Sequence, residues 1–176
     1  MMRETDFERA EAIESMDSPI GTLWIAATRK GVCAISFRAP KRKRAEDGGR
    51  PEARKILKDA AGTLARYFRK GEDAFDEIPV DPEGTDFQLR VWNALREIPA
   101  GQTRSYGEIA RRIGRPKAVR AVGAANGSNP VAIVVPCHRV IGANGTLTGY
   151  GGGLEKKEWL LKHEGVRDAE GATLPF

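Results

Sequence analysis

A run of five apolar residues at positions 131–135 constrains the fold of this chain more than any other stretch. The run ends at Pro136, and Cys137 and His138 follow it side by side. Four to eight apolar residues that end at a proline are typical of a buried extended segment, and β-branched residues favour a strand over a helix. We therefore expect the protein interior to hold Cys137, either as a packed small side chain or as a nucleophile.

The composition suits one or two small domains inside a cell. The 176 residues begin with a charged segment that has no apolar core of a signal peptide. No apolar run approaches the roughly 20 residues that cross a bilayer, so we expect a cytoplasmic protein with no membrane contact. Two cysteines argue against a disulfide framework. A structural zinc site would use every Cys and His of the chain, so we expect neither metal nor cofactor.

The charge distribution is uneven although the net charge of +5 is modest. No carboxylate occurs between Glu108 and Glu155. The interval instead holds six basic residues, Arg111, Arg112, Arg115, Lys117, Arg120 and Arg139. A long acid-free basic segment is typical of a phosphate-binding surface, whereas a solvated basic face is the simpler interpretation. The presence of Cys137 in the same interval favours a functional, phosphate-binding surface over a merely solvated basic face.

The first half of the chain predicts a small sheet and one helix. Residues 14–37 indicate an antiparallel sheet with strands at 22–28 and 32–37, separated by a turn. Residues 51–70 have helical apolar spacing, and Gly71 is a plausible stop. The proline-containing stretch that follows is typical of a linker. We therefore predict two domains, 1–83 and 84–176.

The second half is predicted to be mainly helical. Thr85 and Ser105 each begin a capping box, completed by Gln88 and Glu108. A third helix over 118–127 is rich in small residues, and the last two of these helices form a helix-turn-helix pattern. The small residues allow close approach either to a neighbouring helix or to a DNA groove. A loop rich in glycine then leads to a final helix over 154–163.

Glu164 stands in an unfavourable position. It follows the final helix on the same face as Leu160 and Leu161, and a negative charge at a helix C-terminus is disfavoured by roughly 0.3–1 kcal/mol. A carboxylate placed there needs a cationic or hydrogen-bond-donating partner. The two candidates are His138 and Arg139.

The segment Pro-Cys-His-Arg-Val at 136–140 closely resembles that of the O6-alkylguanine-DNA alkyltransferases. Asn129-Pro130 upstream and the Leu-Leu-x-His-Glu-Gly segment at 160–165 extend the likeness, which covers about 84–165 and, more loosely, the first half. The resemblance implies an α+β fold: a small ribonuclease-H-like α/β domain, then a helical, winged-helix-like DNA-binding domain. It implies DNA repair by direct reversal, in which one alkyl group moves irreversibly from O6 of guanine to Cys137, with O4-alkylthymine as a second candidate substrate.

The resemblance also implies roles for single residues. Cys137 matches the alkyl acceptor, His138 the base that acts on it through a water, and Glu164 the residue that orients the histidine. Tyr106 matches the tyrosine that hydrogen-bonds the flipped guanine and helps it leave. Asn129 matches the asparagine that ties the DNA-reading helix to the active-site turn. The expected partner is double-stranded DNA, bound by a monomer.

Arg120 matches the arginine that enters the base stack where the nucleotide was extruded. The other predicted DNA-binding residues lie in the helix-turn-helix segment: Ser105, Arg115, Lys117, Ala121 and Gly123. The predicted base pocket comprises four residues, Asn126, Val140, Tyr150 and Gly151. Gly151 replaces a serine of some members, and Asn126 replaces an apolar residue. Both changes leave the predicted pocket less crowded.

Three other functions compete with this interpretation. A cysteine hydrolase could use Cys137 and His138 as a dyad, but it would turn over many substrates. A helix-turn-helix regulator would read a DNA sequence, usually as a dimer, without the thiol. A relative that marks lesions without repairing them would lack the cysteine. The thiol beside the imidazole therefore favours stoichiometric dealkylation.

Overall fold

A computed structural model of the chain describes residues 5–41 and 49–166. The ends of the two predicted domains, 1–4 and 167–176, lie outside the described residues. The chain forms two compact units that divide between Glu83 and Gly84, and the short segment Pro130–Val134 belongs to the first unit. The first unit combines a sheet with helices and the second is mostly helical. The predicted α+β class is confirmed.

The first unit contains a three-stranded antiparallel sheet in the order β1-β2-β3. Its elements, after the short helix α1 (Thr5–Glu8), are β1 (Ala12–Met16), β2 (Leu23–Thr28) and β3 (Gly31–Ser36). Ile25 in the central strand pairs with Glu14 on one side and Ile35 on the other. Every residue of β3 is buried. Both predicted strands are confirmed: β2 begins one residue later than predicted, and β3 begins and ends one residue earlier.

Helix α2 (Pro51–Lys70) packs against this sheet, as its apolar spacing predicts. Its buried positions recur every three or four residues: Ala53, Leu57, Ala60, Leu64 and Tyr67. Gly71 ends the helix with φ 70°, and its N–H donates to the Tyr67 carbonyl at 2.8 Å. A left-handed residue at this position favours glycine. A 3-10 helix at Phe75–Glu77 follows.

The described part of the second unit contains four α-helices, and capping boxes begin the first two of them. The four helices are α3 (Asp86–Arg96), α4 (Tyr106–Arg112), α5 (Val119–Gly127) and α6 (Leu154–His163). Both predicted capping boxes are present, since the Thr85 and Ser105 hydroxyls accept backbone N–H groups and the Gln88 and Glu108 side chains accept in return. The Trp92 indole N–H donates to the Ala125 carbonyl at 2.8 Å, which ties α3 to α5.

A short parallel ladder brings two distant parts of the second unit together. Strand β4 (Arg104–Ser105) pairs with β5 (Val140–Ile141), with Arg104 opposite Val140. The strand β4 leads directly into Tyr106, and β5 follows directly after the segment that carries Cys137. The ladder therefore places the first turn of α4 beside the segment that carries Cys137.

The predicted extended conformation of residues 131–135 is wrong at the centre of the run. Val131 bridges Ile35 in parallel, as a strand would. Ile133 then has φ 72°, and the Val134 N–H donates to the Ala132 carbonyl at 2.9 Å, which is a γ-turn. The predicted burial is confirmed. An apolar run reports burial on all sides but does not determine the backbone conformation.

Candidate active site

Two tight turns present the sulfur of Cys137. Pro136 has φ −79° and ψ 64°, and the Cys137 N–H donates across it to the Val135 carbonyl at 2.7 Å. These values are those of an inverse γ-turn. A single 3-10 turn over Cys137–Arg139 follows. The thiol side chain is therefore carried on a rigid, irregular segment, and the residue is only 6% exposed.

His138 is held on one side by Glu164. The Nε2 atom lies 2.8 Å from Oε1 of Glu164, and both side chains are almost fully buried. An ionised carboxylate only accepts hydrogen bonds, so Nε2 carries the hydrogen. Within the described part of the chain, Nδ1 of His138 is buried and has no hydrogen-bond partner. The imidazole therefore keeps a lone pair on Nδ1.

Arg139 clamps the same carboxylate from a second side. Its Nε donates to Oε2 of Glu164 and its Nη2 to Oε1, both at 2.9 Å. The third donor, Nη1, contacts the Ile98 carbonyl at 2.6 Å. The prediction that Glu164 has a cationic or donating partner is confirmed, and both candidates are partners. Arg139 is 2% exposed, so it does not belong to the basic surface predicted for this interval.

Burial strongly affects the protonation states of Cys137, His138 and Glu164. It raises the pKa of the Cys137 thiol, against a hydrogen bond from Asn129 and the charge of Lys157. It lowers the pKa of His138, against the opposing effect of Glu164. Burial also disfavours the Glu164 anion. His138, through its charge when it is protonated and through its hydrogen bond, and Arg139, through its charge and hydrogen bonds, nevertheless hold the pKa of Glu164 well below the usual range. Near neutral pH the site therefore contains a thiol, a neutral imidazole and a carboxylate.

Two asparagines connect α5 to the cysteine segment. The Asn129 amide donates to the Val135 carbonyl at 2.8 Å and also hydrogen-bonds the thiol. The Asn126 amide donates to the Cys137 carbonyl at 3.3 Å. Both side chains are buried. Asn129 thus connects the end of α5 to the turn before Cys137, while its predicted link to DNA binding stays a prediction.

Two tyrosines, Tyr106 and Tyr150, contribute to the candidate site. Tyr106 is half-buried at the start of α4, and the Thr148 hydroxyl donates to its Oη at 2.9 Å. Tyr150 lies in the segment between β5 and α6. Its pKa is raised well above the usual value by burial, with further contributions from Cys137 and Glu164. Tyr150 therefore lies close to Cys137 and Glu164. The neighbouring Gly151 is exposed.

The outer face of α5 is exposed, small and basic. Arg120, Ala121 and Ala124 are exposed on this helix, and Arg115 and Lys117 are exposed in the turn before it. Gly123 is partly covered, because Tyr106 lies beside it. Ser105 uses its hydroxyl to cap α4. Val140, by contrast, is fully buried in β5. The predicted residues thus include a buried group around Cys137 and an exposed group on α5 and the turn before it, while Gly151 is exposed in the segment between β5 and α6.

Two residues of the site were not predicted from sequence. Lys157 on α6 is fully buried, and its Nζ donates to the carbonyls of Val140 at 2.6 Å and Thr148 at 2.9 Å. Burial lowers its pKa to about 8. Thr148 is the second unpredicted residue. Neither had a sequence signal, because the partners of Lys157 are backbone carbonyls and Thr148 lies in a polar, glycine-rich loop.

Comparison with known proteins covers both units. The family model described as 6-O-methylguanine DNA methyltransferase, DNA binding domain, matches residues 86–166, and its ribonuclease-like domain model matches residues 13–82. A methylated-DNA–protein-cysteine methyltransferase of Methanosarcina acetivorans is 52% identical over 149 residues, which cover 85% of this chain and 95% of the relative. This chain belongs to the 6-O-methylguanine DNA methyltransferase family. The predicted resemblance is confirmed.

Other members of the family support the same assignment. The methylated-DNA–protein-cysteine methyltransferase of Mycolicibacterium paratuberculosis is 49% identical, with 91% of this chain and 96% of the relative covered. The crystal structure of Mycobacterium tuberculosis OGT in complex with DNA is similar at 47% identity and a TM-score of 0.74, covering 91% of this chain and 94% of that one. The family match over 86–166 contains all the residues of the buried group.

The described residues include no group of three or more His, Cys, Asp or Glu side chains that could hold a metal ion. Likewise, no helix in the described part of the chain is both long and apolar enough to cross a membrane.

Proposed function

We propose that this methyltransferase repairs double-stranded DNA by direct reversal. It moves one alkyl group from O6 of guanine to the sulfur of Cys137 and is consumed by the reaction. One observation carries the proposal: a buried thiol adjoins a neutral histidine whose Nε2 is held by Glu164 and whose Nδ1 keeps its lone pair. The names of its relatives, which describe methyl transfer from DNA to a protein cysteine, support it.

The thiol must lose a proton before it can attack. Its raised pKa leaves it protonated near neutral pH, and only the thiolate is a strong nucleophile. In our proposal, Nδ1 of His138 accepts this proton through a bridging water. The Glu164 carboxylate then stabilises the imidazolium that forms. General-base catalysis of this kind contributes typically 10²–10⁴-fold to a rate.

The remaining step transfers carbon to sulfur. The thiolate attacks the alkyl carbon, a carbon–sulfur bond forms, and the bond between that carbon and O6 breaks. Its electron pair stays with guanine, and Tyr106 donates a hydrogen bond or a proton to the departing base. Overall, one proton passes from the thiol to guanine. The product is a thioether, which does not hydrolyse, so each molecule acts once.

The exposed face of α5 is the proposed DNA-binding surface. The modified base must leave the duplex to reach a buried thiol, which costs a few kcal/mol and less for a damaged pair. Arg120 would fill the gap in the stack, and Ala121 and Gly123 would let the helix enter the minor groove closely. Arg115, Lys117 and the Ser105 region would contact the phosphate backbone, which gives affinity without sequence preference.

The proposed base pocket lies around the buried group. Tyr150, Gly151, Val140 and Asn126 would contact the extruded guanine. Gly151 has no side chain, so only its backbone N–H could reach O6. Asn129 holds the turn before Cys137 and would link DNA binding by α5 to the position of the thiol.

Intact-protein mass spectrometry tests this function. The protein is mixed with an equimolar duplex that contains one O6-methylguanine, and the Cys137 peptide is analysed. We expect a gain of one methyl group on that peptide and conversion of the lesion to guanine in a 1:1 ratio. An unmodified thiol with the lesion intact would refute the proposal, and many lesions repaired per protein would indicate a turnover enzyme instead.

Two alanine variants sharpen this test. Cys137→Ala should abolish transfer but still bind the duplex. Cys33→Ala is the matched control, because Cys33 is also buried but lies in β3, and it should transfer normally. Loss of transfer in both variants would contradict the assignment of Cys137 as the acceptor.

The organisation of the chain is also part of the proposal. Residues 84–176 would form the DNA-binding and transfer domain, and residues 1–83 would form the other domain, so limited proteolysis should cut first near residue 83. One chain supplies every proposed catalytic side chain, which supports a monomer on DNA. Light scattering of the complex tests this. We propose the cytoplasm as its location, because the acceptor must remain a reduced thiol.

A further inference from the structure

Thr148 makes a contact that none of the roles above explains. Its hydroxyl donates to Oη of Tyr106 at 2.9 Å. The two residues are 42 positions apart in sequence, and both are half-buried. Thr148 lies in the segment between β5 and α6, where six of the twelve residues are glycines and only Ala143, Asn144 and Thr146 have exposed side chains. Its hydroxyl nevertheless contacts the tyrosine that the proposed function assigns to the extruded guanine.

The backbone of Thr148 is fixed independently of this contact. Its carbonyl accepts from Nζ of Lys157 at 2.9 Å, and the same Nζ donates to the Val140 carbonyl at 2.6 Å. Lys157 is fully buried on α6. The buried ammonium group thus attaches the segment to β5, and the Thr148 hydroxyl reaches Tyr106 from an anchored position.

The ring of Tyr106 lies beside α5. A Cβ added at Gly123 on that helix would be in ordinary van der Waals contact with two ring carbons, at 3.8 and 3.9 Å. Thr148 contacts the other end of the side chain, at the hydroxyl group. The hydrogen bond from Thr148 restricts the rotation of the Tyr106 O–H bond.

We propose that Thr148 is a positioning residue that directs the phenolic proton of Tyr106 towards the leaving guanine. A hydroxyl has one proton to donate and two lone pairs. When Thr148 occupies one lone pair, the Tyr106 proton points elsewhere, and accepting a hydrogen bond makes an O–H group a better donor. Thr148 keeps its own proton throughout. This inference rests on the proposed function and assigns one more residue to it.

Single-turnover transfer from an O6-methylguanine duplex tests the inference. Thr148→Val removes the hydroxyl with little change in shape. We expect it to slow transfer about two- to tenfold, the range that one hydrogen bond commonly contributes, with unchanged affinity for the duplex. Thr148→Ser keeps the hydroxyl and should transfer at close to the normal rate. Thr146→Val is the matched control, because Thr146 is exposed in the same segment and its hydroxyl donates to Asn144.

A double-mutant cycle separates positioning from a structural role. In a Tyr106→Phe background the phenolic oxygen is absent, so Thr148→Val should cause no further loss of rate. Equal slowing in both backgrounds would overturn the inference, and so would an unchanged or faster rate in the single variant. If the wild-type protein gains no methyl group at all, the proposed function fails instead, so the two failures are distinguishable.

Discussion

The Arg139 side chain offers a direct test of how the buried charges are balanced. Arg139 is 2% exposed and donates two hydrogen bonds to Glu164 and one to the Ile98 carbonyl. We consider Arg139→Met, which keeps an apolar stem of similar length but removes the cation and all its donors. Glu164 would then be a buried carboxylate whose remaining partner is a neutral imidazole.

The expected loss of stability is large. Removal of one partner from a buried ion pair costs about 3–5 kcal/mol, because the other charge is left uncompensated. For a chain of this size, 1 kcal/mol corresponds to roughly 2–4 °C in Tm. We therefore expect Tm to fall by about 6–20 °C. Arg139→Lys keeps the charge but not the forked geometry, so its loss should be smaller.

Urea unfolding at pH 7, followed by tryptophan fluorescence, measures the effect. Trp92 and Trp159 both lie in the second unit and report on it. Arg120→Met is the matched control, because Arg120 is an exposed arginine of the same unit. It should leave the unfolding midpoint unchanged while weakening DNA binding. A loss below about 1 kcal/mol for Arg139→Met would refute the view that this arginine compensates Glu164.

Further predictions concern titration and packing. The transfer rate should stay constant as pH falls to about 6.5 and decline only below it, because burial lowers the pKa of His138 from 6.5; a midpoint above 6.5 in single-turnover measurements would contradict this. Lys157 has a pKa of about 8 when folded and 10.5 as its reference value. Lys157 therefore binds more protons in the unfolded chain between these values and contributes stability that grows with pH, whereas the raised pKa of Cys137 acts in the opposite sense above its ordinary value of 9.0. The difference in unfolding free energy between the wild type and Lys157→Met should therefore increase with pH over that window in urea titrations. Gly84→Ala should cost about 1–3 kcal/mol, because its Cβ would lie 2.7 Å from the Trp92 ring. Gly62→Ala, in an open helical position, should instead gain about 0.5–1 kcal/mol in the same assay.

Features that depend on neighbouring residues were predictable from the sequence. The capping boxes at Thr85 and Ser105 and the end of α2 at Gly71 follow from local hydrogen-bonding rules, and the structure has all three. The need of Glu164 for a cationic or donating partner was also predictable, because a negative charge at the C-terminus of a helix is electrostatically disfavoured. A local violation of this kind signals that a distant partner exists, although it does not identify the partner.

Features that depend on backbone carbonyls far along the chain were not predictable. Lys157 is one of two adjacent lysines in a charged helix, and only the fold shows that it is buried against carbonyls 9 and 17 residues away. For the same reason, the sequence did not show which basic residues between Glu108 and Glu155 face solvent. Arg139 was counted with the exposed charges but is buried, and Arg112 pairs with Glu97. Sequence gives the number of charges in a segment, whereas only packing decides which of them face solvent.

The arrangement around Glu164 also explains why an arginine follows the histidine in this segment. If His138 were the only partner, the carboxylate would face a neutral ring in a buried site, and burial would favour its protonated form. A protonated Glu164 could neither fix the His138 tautomer nor stabilise an imidazolium. Arg139 stays charged at all relevant pH values and donates to both carboxylate oxygens. It therefore keeps Glu164 ionised while His138 is neutral. In the proposed mechanism, the imidazole then accepts the thiol proton with its counter-charge already in place.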